Sequence, residues 1–471
     1  MDNVFQRKTV SASRYKQARP APLGQFFVEL VEAAKLAFPM MLTQIVQIAM
    51  TTTDLALIGH MGAEALAAAA LAGRIYLVSF TFGVGFLAPI TSFVARAFAA
   101  DNLTVARRSL LSGLWGAILL SLPIAAFTLN GERLLLVFGQ APNTARLAQQ
   151  YLFGLVWSLA PALCFQVIRS FLGAVKRPEP ALWITLIALP INALLVYLLI
   201  YGKLGLPRLE LFGAGLATTL VNLGMLLAAF CFTTMRQPFR DYHLLAKCWR
   251  FDCQLMWQLI VIGTPISIAS LIGYGAISAA ALLAGVISTS ALAAHQIALN
   301  IATILFAVAF GVSTAAAVRV SHAVGRGDVP GIKRAGVVPM LLGLLVIGML
   351  TLAAVVARVK LAELFLAESA GDSDATIEMA AKLILVAASF FIGDAVASIA
   401  AGSLRGLNDT RVPLLFAGIS YWPVGMCFSY LLGFKMGFGV VGIWIGLAIG
   451  TNVYAGLLVT RFQLLANKFV L

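Results

Sequence analysis

The sequence predicts an all-α integral membrane protein, with twelve transmembrane helices arranged as two parallel six-helix repeats. Only 11% of its 471 residues are charged, against about 25% in ordinary soluble chains, and its mean hydropathy is +0.95. Apolar runs that meet the ~20 residues needed to cross a hydrocarbon core recur between residues 34 and 462. The chain also repeats itself: a shift of 226 positions brings Pro39 onto Pro265.

The expected spans are 34–59, 66–96, 109–129, 148–174, 181–202, 212–235, 255–286, 291–322, 335–357, 377–403, 412–434 and 440–462. Each is bounded by residues that break an apolar helix. In order, the breaks are "GHMGAEA", "DNLTVARR", "NGERLLLVFGQAPN", "KRPEP", "GKLGLPRLE", the basic stretch 236–253, "STS", "GRGDVPGIKR", "ARVKLAELFLAESAGDSDAT", "RGLNDTRVP" and "FKMGFG". Glycine, proline, asparagine and clustered charge punctuate helices in this way. Spans 66–96 and 291–322 are longer than the bilayer core requires, so they must tilt or protrude.

Residues 39–102 overlay 265–328 without a gap, pairing Gly59 with Gly285, Gly85 with Gly311, and "ALAA" at 65–68 with "ALAA" at 291–294. A weaker echo sets Pro190 and Tyr197 against Pro423 and Tyr430. Six spans per half is an even number, so both halves enter the membrane from the same side. Parallel repeats of this kind build transporters that open a central cavity to alternate faces. The expected organisation is a basic tail (1–25), a first six-helix half (26–235), a linker (236–253) and a second six-helix half (254–471).

The net charge of +14 fits the positive-inside rule better than a nucleic-acid surface. One set of connections holds Arg7, Lys8, Arg14, Lys16, Arg107, Arg108, Lys176, Arg177, Arg240, Lys247 and many more. It outnumbers the opposite set by more than two to one. Both termini are therefore expected in the cytoplasm, in a bacterial inner membrane. The tail has no apolar core of the length a secretory signal needs, and its polar, basic composition fits a disordered segment or a patch on the membrane surface. Cys164, Cys231 and Cys427 fall in spans and read as packing residues. Cys248 and Cys253, with only His243 nearby, do not make a zinc site.

Polar groups inside the spans carry the functional reading. Gln44, Gln47, Thr51 and Asp54 follow one another by three, four and three residues, which puts them on one helix face. Such a stripe faces a bundle interior or a wet cavity. A carboxylate stripped of water loses its preference for the charged form, which makes Asp54 a candidate proton carrier; with Thr51 and backbone carbonyls it is also a candidate sodium ligand. The competing reading is an Asp that reaches the interface or caps the next helix. Asp394 is a second intramembrane carboxylate, with Ser398 one turn away on the same face. Span seven carries Ser267, Ser270, Tyr274 and Ser278 on one face. Span eight carries Gln296 and Asn300, beside His295. These line a cavity or hydrogen-bond between helices. Asn192 and Asn222 are further candidates for the first half's cavity. Gly442, Gly446 and Gly450 read as a packing ladder. No P-loop, HExxH or GxSxG motif is present, so neither ATP hydrolysis nor enzyme activity is expected.

"FPMMLTQIVQIAMTTTDLALIGHMG" in span one, "ALAAHQIALN" in span eight and "AAGSLRGLNDTRVP" closing span ten together resemble the MATE (multidrug and toxic compound extrusion) family, in its NorM-like branch. The resemblance covers nearly the whole chain after the tail. It implies a V-shaped pair of six-helix lobes around a drug cavity, and export of organic, often cationic amphipathic compounds in exchange for protons or sodium. It assigns ion coupling to Asp54 and to Asp394, which stands eight residues before Gly402 as in that branch. The chain departs at Gly273, where the branch has a Glu eight residues after the span's Pro, and at Ala397, where it has a Gln. A sodium site built from two carboxylates in the second half is thereby weakened, and protons are favoured as the coupling ion. No cofactor is implied; the expected partners are small organic substrates, the coupling ion and membrane lipids, with the chain acting as a monomer. The alternative is a lipid or lipid-linked precursor flippase of the same superfamily, whose members carry more spans and more cavity charge. A non-transporting scaffold would not need carboxylates on polar stripes.

Overall fold

The computed structural model describes residues 23–205, 207–235, 252–366 and 373–468. Nearly all of the tail 1–25 and the linker 236–253, including His243 and Cys248, lies outside them. Among the described residues twelve helices are long and apolar enough to span a membrane. They are α1 (Phe27–Gly59), α2 (Ala63–Ala99), α3 (Leu103–Leu129), α4 (Pro142–Ala174), α5 (Glu179–Tyr201), α6 (Glu210–Met235), α7 (Cys253–Ile287), α8 (Thr289–Arg326), α9 (Val329–Val356), α10 (Ala375–Gly406), α11 (Arg411–Lys435) and α12 (Gly439–Lys468).

Several helices outrun their apolar cores. Hydropathy marks only the part that meets lipid, whereas a helix continues until its hydrogen-bonding pattern is stopped. α4 starts at Pro142, six residues before its apolar run at 148, because proline is well suited to a first helical turn. α8 is capped by the Ser288 hydroxyl accepting from Ala291 N at 3.0 Å, and ends where Gly327 turns left-handed at φ +69°. Inside α2 the ladder is interrupted at Pro89, which has no N–H to donate. α11 widens into π turns over Ser420–Met426 and Leu431–Lys435, the first of them around Pro423.

The glycine ladder of α12 packs as expected. A Cβ on Gly446 would lie 2.2 Å from Ser429 N, and one on Gly450 2.7 Å from Gly425 Cα, so α11 and α12 touch backbone to backbone. Two of the three span cysteines differ from expectation. Cys164 is buried, but Cys231 and Cys427 are exposed on the helix surface. Composition does not reveal which face of a helix meets lipid when both faces are apolar.

The duplication in the sequence reappears where the halves meet. α1 packs on α8, and α2 packs on both α7 and α8. A Cβ on Gly85 would lie 2.8 Å from Ser267 Cα, and one on Gly311 would lie 2.6 Å from Met41 Cα. Gly85 pairs with Gly311 in the repeat, and Met41 with Ser267, so this is one contact made twice. A second reciprocal pair joins side chains to helix ends. Arg96 Nη2 donates to Gly406 O at 2.6 Å, and His322 Nε2 pairs with Ala174 O at 2.7 Å. Arg96 and His322 are also repeat mates; each reaches the carboxyl end of a helix in the other half, α10 and α4 respectively. Ser92 adds a bond to Arg405 O at 3.1 Å, and Glu29 of α1 bridges Arg319 at 3.5 Å and Arg334 at 3.3 Å. The Arg96, His322, Ser92 and Glu29 contacts lie toward the end of the bundle where α1 begins.

The motif closing α10 thus serves the junction. Gly402 brings α10 against α8, where a Cβ would sit 2.2 Å from Ser313 O. Arg405 donates to Ser313 Oγ at 2.7 Å and lies 5.9 Å from the Phe310 ring centre. Gly402→Leu is expected to cost about 3 kcal/mol or more, because backbone cannot yield as a side chain does. Thermal unfolding in detergent would record this, and an unchanged midpoint would show that the contact does not hold the helices.

Candidate functional site

Two polar centres stand inside the bundle, one in each half. In the first, Asp54 lies on α1 and is 6% exposed. Asn192 Nδ2 of α5 donates to its Oδ1 at 2.5 Å, and Thr218 Oγ1 of α6 donates to its Oδ2 at 3.3 Å. Asn192 is itself fully buried, and its Oδ1 has no hydrogen-bond partner. It therefore holds the carboxylate and does not line an open cavity. Asn222 lies one turn beyond Thr218 on α6 and is half-buried. No basic side chain pairs with Asp54 among the described residues. A fully charged Asp here would be a buried ion satisfied only by neutral dipoles, an arrangement proteins avoid.

The polar stripe of α1 divides into separate tasks. Gln44 and Gln47 turn to Arg169 of α4, whose Nη1 donates to Gln44 Oε1 at 2.9 Å and to Gln47 Oε1 at 3.0 Å. Its Nη2 donates to Gln166 Oε1. Thr51 is exposed and bonds the Gln47 carbonyl of its own helix at 3.2 Å.

In the second half, Asp394 of α10 is half-buried, and no hydrogen bond reaches its carboxylate among the described residues. It lies within electrostatic range of Tyr274 of α7, Tyr421 of α11 and Tyr454 of α12. The Tyr421 and Tyr454 rings are 5.2 Å apart, and Tyr274 lies beside Thr81 of α2. The result is a carboxylate among aromatic hydroxyls, next to the junction of the halves. Gly273 faces this group: a Cβ there would lie 3.7 Å from the Tyr421 ring, an ordinary contact.

The other expected residues scatter. Ser398 is half-buried one turn after Asp394, and its carbonyl accepts from Ser313 at 2.5 Å. Ser267 joins the halves by donating to Phe82 O at 2.7 Å, and Ser270 bonds Ile266 O of its own helix at 3.0 Å. Ser278 and Asn300 are exposed, and Gln296 is half-buried. His295 is fully buried, 5.5 Å from Trp444 ring to ring, with neither ring nitrogen bonded; it is a core residue.

Sequence reasoning missed Thr218, Arg169, Gln166, Tyr421 and Tyr454. Thr218 lies four residues before Asn222, and Gln166 three before Arg169, so helical spacing held both signals. The tyrosines carried no comparable sign, because an aromatic residue in a span is most often packing or an interface anchor.

The MatE family model matches residues 39–198 and 265–431, once in each half. The "Probable multidrug resistance protein NorM" of Bradyrhizobium diazoefficiens is 54% identical over 95% of this chain and 96% of that protein. Its namesake in Rhodopseudomonas palustris is 50% identical over 95% and 94%. Among solved structures, a eukaryotic MATE transporter superposes with a TM-score of 0.83 at 18% identity, covering 94% of this chain and 98% of that one. A Pyrococcus furiosus transporter of the MOP superfamily gives 0.84 at 17% identity, over 96% and 100%. With a duplicated twelve-helix bundle and a family match in both halves, this chain belongs to the MATE family of membrane transporters and is not an enzyme.

Proposed function

We propose that this chain exports organic, cationic amphipathic compounds across the bacterial inner membrane by antiport, with the proton as coupling ion. The observation that carries the reading is Asp54, a carboxylate buried in a span with two neutral donors and no basic partner among the described residues. Its charge has to be cancelled by something outside the chain, because a lone buried charge is costly. A proton does this with no further ligands. Taking it up and losing it changes the charge of the first half's interior, and a ligand that prefers one arrangement of the halves shifts the balance between them.

Sodium is the second reading, favoured by the unpartnered Oδ1 of Asn192. With Asp54 and Thr218 this offers a small set of oxygens, whereas hard cations such as Ca²⁺ gather about six or more. That shortfall supports the proton. Asp394 and its three tyrosines suit the cationic end of a substrate, since ammonium groups bind both carboxylates and aromatic faces. The relatives' names, which speak of multidrug resistance, agree with this reading. The positive-inside rule sets the end where α1 begins in the cytoplasm. The junction then closes the cytoplasmic side, and the chain works as a monomer with both lobes in one polypeptide.

The test uses protein in liposomes with a fluorescent cationic dye, under an imposed proton gradient and then a sodium gradient. Dye movement is expected under the proton gradient. Movement under neither gradient would falsify antiport, and movement under sodium alone would replace the proton. Asp394→Asn is expected to raise the dye concentration for half-maximal transport about tenfold, the usual scale for a contact with a charged group.

A further inference from the structure

The exporter reading makes no use of Arg169. This side chain leaves α4 and crosses to α1, where Nη1 serves Gln44 and Gln47 at 2.9 and 3.0 Å while Nη2 serves Gln166. No carboxylate pairs with it among the described residues. A guanidinium has five N–H donors; three are engaged, and neither Nε nor the second Nη2 hydrogen has a partner among those residues.

The glutamines sharpen the point. Each turns its oxygen to Arg169, which directs each carboxamide NH2 elsewhere, and none of these NH2 groups meets an acceptor among the described residues. The cluster therefore offers a full positive charge and free N–H donors, while its three carboxamide oxygens are already turned to the guanidinium. Gln44, Gln47, Gln166 and Arg169 are all half-buried, so the cluster is not sealed into the core. A positive charge packed between helices without a counter-ion is unfavourable, as the lone carboxylate of Asp54 is. What complements it is an oxyanion, and a planar guanidinium matches a carboxylate with two parallel bonds. Gln47 and Asp54 share one face of α1, two turns apart, or about 10 Å at 1.5 Å per residue. One helix face thus carries a donor-rich positive site and an acceptor-rich negative one.

We infer that Arg169, with Gln44, Gln47 and Gln166, is a carboxylate-binding subsite that takes the acidic group of zwitterionic or anionic amphipathic substrates. The inference rests on the exporter reading and names the side chains that hold a substrate's acidic group.

Two dyes that differ by one methyl group test it: rhodamine 110, with a free carboxylate, and its methyl ester, rhodamine 123. Binding to the purified full-length protein in detergent is followed by fluorescence anisotropy, with no ion gradient. R169Q is expected to weaken the acid about tenfold, the scale of hydrogen bonds to a charged group, and the ester less than about twofold. R169K, which keeps the charge but loses the fork, is expected to fall between wild type and R169Q for the acid. It decides the matter alone if R169Q does not fold. Benzoate is expected to displace the acid dye where equal chloride does not. Equal losses for both dyes in R169K would mark Arg169 as a strut between α4 and α1 and overturn the subsite. Unchanged acid binding, or displacement by chloride as strong as by benzoate, would overturn it too. If neither dye binds wild type, the exporter reading fails along with it.

Discussion

Asp54→Asn is expected to cut proton-driven export sharply while leaving the protein folded. The substitution keeps the shape of the side chain. Asn retains the oxygen that accepts from Asn192, and its new NH2 is placed to donate to the Thr218 hydroxyl, which accepts as readily as it donates. Both contacts survive, so the unfolding free energy should change by no more than about 1 kcal/mol. What disappears is the only group in this centre that changes charge. Coupling free energies between linked sites typically amount to about 5–150-fold, and proton-driven dye efflux should fall by a factor in that range. Dye binding at Asp394 should persist, because the two carboxylates stand in different halves. Wild-type efflux in Asp54→Asn under a proton gradient would remove Asp54 from the coupling role.

Breaking the reciprocal latches should shift the resting arrangement of the halves. Arg96 and His322 bond across the junction only while the ends near the start of α1 are together. Arg96→Met removes a charge-assisted bond worth about 1.5–3 kcal/mol, which is about tenfold or more in a two-state population. Gly406 O keeps a second donor, Ser321 Oγ at 3.3 Å, so the loss does not leave an orphaned carbonyl to unfold the helix end. His322→Phe removes a bond of about 1 kcal/mol and should shift the population about fivefold. Spin labels at Arg108 on α3 and Arg411 on α11, both exposed, report the separation in a background without native cysteines. A longer distance component should grow in both variants, more in Arg96→Met. Identical distance distributions in wild type and Arg96→Met would mean that the junction is held by its other contacts, the glycine approaches and the Ser92, Ser267, Glu29 and His322 bonds.

The two carboxylates were legible for different reasons. Asp54 showed itself through spacing, since four polar residues at helical intervals on an apolar helix are a local pattern. Asp394 stood out because few ionisable residues interrupt a span, but its tyrosines come from three other helices and no sequence interval connects them. Arg96, Arg405 and Arg319 carry no mark in the sequence beyond their positive charge; in the structure their side chains bond to backbone carbonyls or hydroxyls across helix junctions. Charge counting records where a residue enters the membrane interface, and not where a long side chain ends. The stripe of α1 read as one site and proved to be two on the same face, because Gln44 and Gln47 answer an arginine on another helix.

The sequence by itself determined the membrane class, the twelve spans and the duplication. These rest on hydropathy, spacing and self-similarity, which are properties of neighbouring residues or of direct comparison along the chain. Only the tertiary structure decided what each polar group touches. Asn192 is 138 residues from Asp54 and Thr218 is 164, while Arg169 reaches Gln44 over 125 residues. Within a membrane a buried polar group must find its partner on another helix, and helix packing selects that partner.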